Sequence, residues 1–276
     1  LLYEIVTTAS IFPHHPVKSS YMTDIATGTD RLRAFLVLAA TVGTIVFNWL
    51  AAAGRIGGVT PAEISDKYPT LITPAGYAFA IWSLIYLGLI AFSIYQLLPA
   101  NLARFRNIRS LFIISCALNC AWIYFWHGDQ IGICLAILAC LLFVLFLINW
   151  NLRRDGSIGE YWAVKAPFGI YFGWVTVAAL LIIAVFLKSM NIELSTSSAV
   201  ALIFFAVAVS VVVRFRMSNY LYPLAVAWAL TAIGVEQSGK TLVVTAAAFG
   251  TIACLIATLT LVVNLPSSQT YDSPSE

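Results

Sequence analysis

Apolar residues in this chain do not alternate with polar ones. They come in runs near 20 residues long, separated by short stretches rich in Pro, Gly, Asn and Arg. A helix rises about 1.5 Å per residue, so about 20 residues cross the roughly 30 Å hydrocarbon core of a bilayer. Eight spans are predicted, at about 34–54, 73–98, 108–127, 131–151, 163–187, 196–213, 218–235 and 242–264. The alternation of a membrane barrel, in segments of about ten residues, is not found. The fold class is therefore all-α, a polytopic transmembrane helical bundle. Residues 1–31 and 266–276 read as polar tails around a membrane domain at 32–190 and a three-helix extension at 191–265. Residue 1 is Leu, Met22 is a candidate start, and the first span serves as a retained insertion signal.

The second span carries the most pronounced pattern. Thr73 is a suitable N-cap, Pro74 suits the first helical position, and Gly76 follows in the first turn. At about 100° per residue, Phe79, Trp82 and Tyr86 share one face. Lipid is satisfied by Leu, Ile and Val, and Trp and Tyr belong mainly at the headgroups, so a mid-span aromatic wall calls for a partner. The third span places Asn119, Trp122 and Trp126 at i, i+3, i+7, and the fifth places Tyr171 and Trp174 at i, i+3. Packed together, the three stripes would either enclose a pocket for a flat apolar molecule or form an aromatic core that packs on itself. Asn119 is correspondingly either a ligand contact or an interhelical clip. Pro167, Gly169 and Gly173 predict a kink and close backbone approach early in the fifth span. Ala246, Gly250 and Cys254 make a small-residue face in the eighth. In the first loop, Thr60-Pro-Ala-Glu63 has the form of a capping box, predicting a short helix at 61–66 that is either a connector or a lid.

Composition narrows the classes. With 61% hydrophobic and 10% charged residues among 276, the chain is far from a soluble domain at about 25% charge. Nothing suggests nucleic acid as a partner. All five cysteines lie inside apolar runs and read as small packing residues, and His127 reads as a loop histidine, so no metal site is expected. The mid-span regions lack Asp, Glu, Lys, Arg and His, which argues against ion-coupled transport. Asn149, Trp150 and Asn151 mark the headgroup boundary of the fourth span. Eight spans would put eleven Lys and Arg residues on the side of both termini and only Arg55, Lys67, Lys188 and Lys240 on the other. By the positive-inside rule both termini are then cytoplasmic.

Pro74-x-Gly76-x-x-Phe79-x-x-Trp82-x-x-x-Tyr86, then Leu118-Asn119-x-x-Trp122, then Tyr171-x-x-Trp174 resemble the TspO/MBR family of tryptophan-rich sensory and translocator proteins. The resemblance covers residues 34 to 187. It implies a five-helix bundle, often a homodimer, in a multi-pass membrane setting (the cell membrane in a bacterium). Beneath the first loop it implies a pocket for porphyrin, haem or other tetrapyrroles, sterols and drug-like aromatics. No cofactor is required, and the implied role is a sensor or regulator, with light-dependent porphyrin degradation as the one catalytic activity implied. By position Phe79, Trp82, Tyr86, Asn119, Trp122, Trp126, Tyr171 and Trp174 are the ligand-binding candidates. The sequence departs from the family in its first loop, Gly57 to Pro69, in Ile170 where Pro is usual, and in three additional spans. A passive carrier for a small apolar or amphipathic solute is the alternative function.

Overall fold

The computed structural model describes residues 26–153 and 156–263, and side chains as far as 260. Most of the polar N-terminal segment, including Met22, and the whole C-terminal one lie outside the described residues. The helices in chain order are α1 (Gly28–Ala52), α2 (Pro61–Ser65), α3 (Ile81–Tyr95), α4 (Arg106–His127), α5 (Ile131–Asn151), α6 (Ile158–Glu160), α7 (Ala166–Ser189), α8 (Thr196–Met217), α9 (Leu221–Glu236) and α10 (Thr241–Val263).

Helix α1 starts earlier than the apolar pattern predicts. Thr27 and Asp30 form a reciprocal capping box, and Arg106 grips the Asp30 carboxylate with two bonds of 2.8 and 2.7 Å. The capped turn therefore takes in residues that read as tail. Its buried positions, Asp30, Ala34, Val37, Thr41, Thr44, Asn48 and Ala51, repeat every three or four residues, and Leu32, Phe35, Val42 and Val46 face outward. The inner face is the more polar one, as expected where lipid rewards apolar surface and helix contacts reward hydrogen bonds.

Five helices close a ring in the order α1, α4, α5, α7, α3. Its interior is filled in layers. At the basic end Arg109, fully buried, bonds the Gln96 side chain at 2.7 Å, and the Gln96 amide donates to the Ala34 carbonyl. Above it Phe92, Phe112 and Phe168 pack with centroids 5.0 to 5.9 Å apart. The Trp and Tyr side chains fill the next layer, and α2 closes the far end.

Two helix starts differ from expectation. Pro74 is not at the first position of its helix. The Thr73 hydroxyl accepts from the Thr70 N–H, turning the chain before the helix begins. Ala75 donates its N–H to the Ala232 carbonyl of α9, and a 3-10 turn, Gly76–Ala80, leads into α3. The kink expected at Pro167 is a π-helical turn, Tyr161–Lys165, just before it. Proline lacks the N–H that would continue the ladder, and the Ala166 N–H reaches back five residues to Tyr161 instead.

Seven of the eight predicted spans are long and apolar enough to cross a membrane; the exception is α9, with 16 residues. It lies against α7, α8 and α10 with most of its surface buried, so its length need not match the bilayer. Gly173 admits it closely, since a Cβ there would sit 2.5 Å from the Tyr222 carbonyl oxygen. Asn219 starts it, accepting from the N–H groups of Leu221 and Tyr222 while donating to Asn149 and to the Lys165 carbonyl. Asn149, expected at the headgroup boundary, is therefore buried in this seam. Gly250 receives Leu230, Val207 and Ile203, consistent with the small-residue face predicted for α10. Arg214, at the end of α8, bonds Thr260 near the end of α10, so these two helices finish at the same end of the bundle.

Candidate functional site

Trp82 is the hub of the aromatic layer. Its indole stacks on Tyr86 (5.6 Å, 20°) and on Trp122 (6.5 Å, 29°), and meets Tyr171 and Trp174 edge-on at 5.9 and 6.4 Å. Trp122 continues the stack to Trp126 (5.9 Å, 16°), and Phe79 meets Trp174 edge-on at 6.1 Å. Helical periodicity supplies each stripe, and the ring closure of α3, α4 and α7 turns all three inward. Every aromatic residue predicted to line the site is thus brought into one cluster.

They meet one another rather than a hollow. The space among Phe79, Trp82, Trp122, Trp126, Trp174 and Ser65 is only about 30 Å³. Pockets for drug-sized ligands run to about 300–1,000 Å³. The enclosed pocket is closed in this conformation because ring faces and edges attract one another once lipid is excluded. A larger apolar groove, about 410 Å³, runs outside the ring between α3 and the extension, along Ile81, Leu84, Trp228 and Leu255.

The cluster is not fully satisfied. Asn119 accepts a 2.7 Å bond from the Asn48 amide, which makes it the interhelical clip, and its own Nδ2 faces the Tyr171 hydroxyl without a bond of ordinary geometry. Trp122 Nε1 and Ser65 Oγ are likewise buried without one. An orphaned buried polar group costs about 1–3 kcal/mol. Ser65 and Trp122 border the same small space, and Asn119 lies one turn from Trp122 on the same face of α4. Sequence reasoning missed Asn48, Thr44 and Thr41. Their signal is small polar residues at i, i+3, i+7 on the one buried face of an otherwise apolar span.

The first loop sits over this layer. The Thr60 capping box forms as predicted, and the Pro61 carbonyl of α2 accepts from Trp126 Nε1 at 3.1 Å. Tyr68 donates to Asp129 across the turn between α4 and α5; burial and then that carboxylate hold its phenol above the ordinary range. The extension grips the loop from the other side. Gln237 donates to the carbonyls of Thr70 and Thr73, and Trp228 to that of Ala78. His127 packs beneath Gly57, with Nδ1 2.8 Å from the Ile123 carbonyl oxygen. Among the described residues no three His, Cys, Asp or Glu side chains come together as a metal site, and the five cysteines are free thiols.

A family model described as TSPO-like protein matches residues 34–261. The match runs past the first five spans and takes in α8, α9 and most of α10. No curated protein and no solved structure matches the chain.

Proposed function

The chain belongs to the TSPO-like protein family, and from that premise we propose that it is a membrane receptor for a flat apolar molecule of the tetrapyrrole class, acting as a sensor or regulator. The observation that carries this reading is the convergence of Trp82, Trp122, Tyr171 and Trp174 on one layer beside three buried polar atoms without a hydrogen bond of ordinary geometry. The aromatic box formed by these rings offers ring faces for stacking and N–H or O–H groups for a carbonyl or carboxylate edge. The lining holds no His, Cys, Asp or Glu, so the residues fit a tetrapyrrole by stacking and hydrogen bonding and not by axial ligation of a metal. Admission of the guest requires the stacked indoles to part and the first loop to lift. The loop's described side-chain ties to α4 and its following turn are the Trp126–Pro61 and Tyr68–Asp129 bonds. Binding therefore follows opening, and its affinity is reduced by the fraction of time the box is closed.

Titration of the protein in lipid nanodiscs with a free-base porphyrin, followed by tryptophan quenching, tests the reading. Saturable quenching is expected, weakened about tenfold in Trp122→Ala, equivalent to about 1.4 kcal/mol. No saturable quenching, or an affinity indifferent to Trp122→Ala, overturns it. Sensitivity to Trp228→Ala alone would move the guest to the outer groove along α9.

A further inference from the structure

At the basic end of the bundle a hollow of about 490 Å³ opens between the start of α4 and the end of α5, away from the aromatic layer. Arg104, Asn107, Trp150, Arg153 and Glu160 line it. Arg104 is committed to Glu160, its Nε 2.6 Å from Oε2, so the two charges largely cancel. Arg153 is the remaining charge. Its guanidinium lies 4.1 Å from the Trp150 ring centroid and gives one N–H to the Trp150 carbonyl. A guanidinium has five N–H donors in a planar fork, so most of them stay available to an incoming oxyanion. The start of α4 at the wall has no side-chain cap, and its Arg106 and Ile108 N–H groups are taken by the Ala103 and Phe105 carbonyls, so the positive potential of the hollow rests on the guanidinium. Among the described residues the lining thus carries a net charge of one, positive, in a concave polar setting.

What continues from this hollow identifies the occupant. Below Arg153, Trp150 stacks on Phe146 (5.9 Å, 23°) and Phe146 on Phe143 (6.5 Å, 16°). All three rings lie on the outward face of α5, 43%, 37% and 61% exposed. From residue 151 to residue 143 the helix descends about 12 Å, most of one leaflet of a roughly 30 Å hydrocarbon core. A free phosphate would use the cationic end alone. A phospholipid uses both, with its phosphate in the hollow and an acyl chain along the ring ladder. Basic pockets between spans at the positive side are a general means of holding anionic headgroups.

We propose that this hollow and ladder form a binding site for one anionic phospholipid of the leaflet at the basic end, with Arg153 as the principal phosphate contact. The probe is phosphatidylglycerol with brominated acyl chains, compared with brominated phosphatidylcholine, in vesicles holding the full chain. Trp150's share of the emission is the difference between wild type and Trp150→Phe. Phosphatidylglycerol is expected to quench that share at several-fold lower mole fraction than phosphatidylcholine. Arg153→Gln and Arg104→Gln, both at exposed side chains, should each reduce the preference, and the pair should abolish it. Arg216→Gln, an exposed cation at the same end outside the hollow, should leave it intact. Equal quenching by the two lipids overturns the proposal. So does an equal loss in Arg216→Gln, which would mean general surface charge, or abolition of the preference by excess inorganic phosphate, which would mean a free-anion site.

Discussion

At the scale of single residues, the polar side chains inside the ring decide how the spans register. Thr41 bonds Ser93 at 2.6 Å and Asn48 bonds Asn119 at 2.7 Å, so α1 is pinned to α3 and to α4 by groups that would be unsatisfied in lipid. Asn48→Ala leaves the Asn119 amide without its partner, and a loss of about 0.5–2 kcal/mol is expected, typical of interhelical bonds in membranes. Thermal unfolding in detergent checks this, and an unchanged midpoint would show that Asn119 finds another partner. Asn119 was legible from the sequence as a buried amide with two readings, clip or ligand contact. Its Oδ1 serves the first, and its Nδ2, without a bond of ordinary geometry, remains for the second. Asn48 was missed: its spacing with Thr41 and Thr44 marks a polar face, but does not say which neighbour that face will meet.

At the scale of elements, the first loop is the part whose local sequence suffices to build it. The Thr60 N–H and hydroxyl hold the Glu63 carboxyl below its ordinary value of 4.5. A depressed value means that the cap's contribution is fully present above 4.5 and is lost as pH falls through the lowered value. Amide exchange across residues 60–66 should therefore quicken under acid, and Glu63→Gln should remove that dependence. Exchange that is flat with pH in the wild type would count against the cap as the loop's anchor. The π-helical turn before Pro167 is the opposite case. The proline announces an interruption, but whether the ladder kinks or slips is settled by packing from elsewhere in the chain. Here Asn219, in the connection between α8 and α9 and more than 50 residues later, sits against Gly169 and donates to the Lys165 carbonyl beside the π-helical turn.

At the scale of the whole molecule, the last three helices are part of the same structure as the first five. Helix α9 lies in a groove of α7 that only glycine permits, and Trp228, Ala232 and Gln237 hold the start of α3 and the first loop. The extension therefore bears on how the aromatic layer opens. Gln237→Ala removes two of those ties, and it is expected to speed exchange in residues 70–75 and to raise apparent porphyrin affinity by a factor of about two to five, through a larger open fraction. Unchanged exchange and affinity together would mean that α9 serves as packing alone. Truncation after residue 190 should lower the unfolding temperature or prevent a monodisperse preparation, since it uncovers Gly169, Gly173 and the amide of Asn149.

While the starts of α1 and α3 and the end of α8 differ from the apolar pattern, the sequence by itself determined the number and approximate places of the apolar helices, the basic end, the capped first loop and the three aromatic stripes. Each of these follows from run length, periodicity or local capping, which act within a few turns of chain. Only the tertiary structure decided that the stripes close on one another, that Pro74 precedes its helix, and that α9 is short and enclosed. Those outcomes depend on contacts between residues about 40 to 170 positions apart, where the energy gained by ring against ring, or by amide against a distant carbonyl, is invisible to any local pattern.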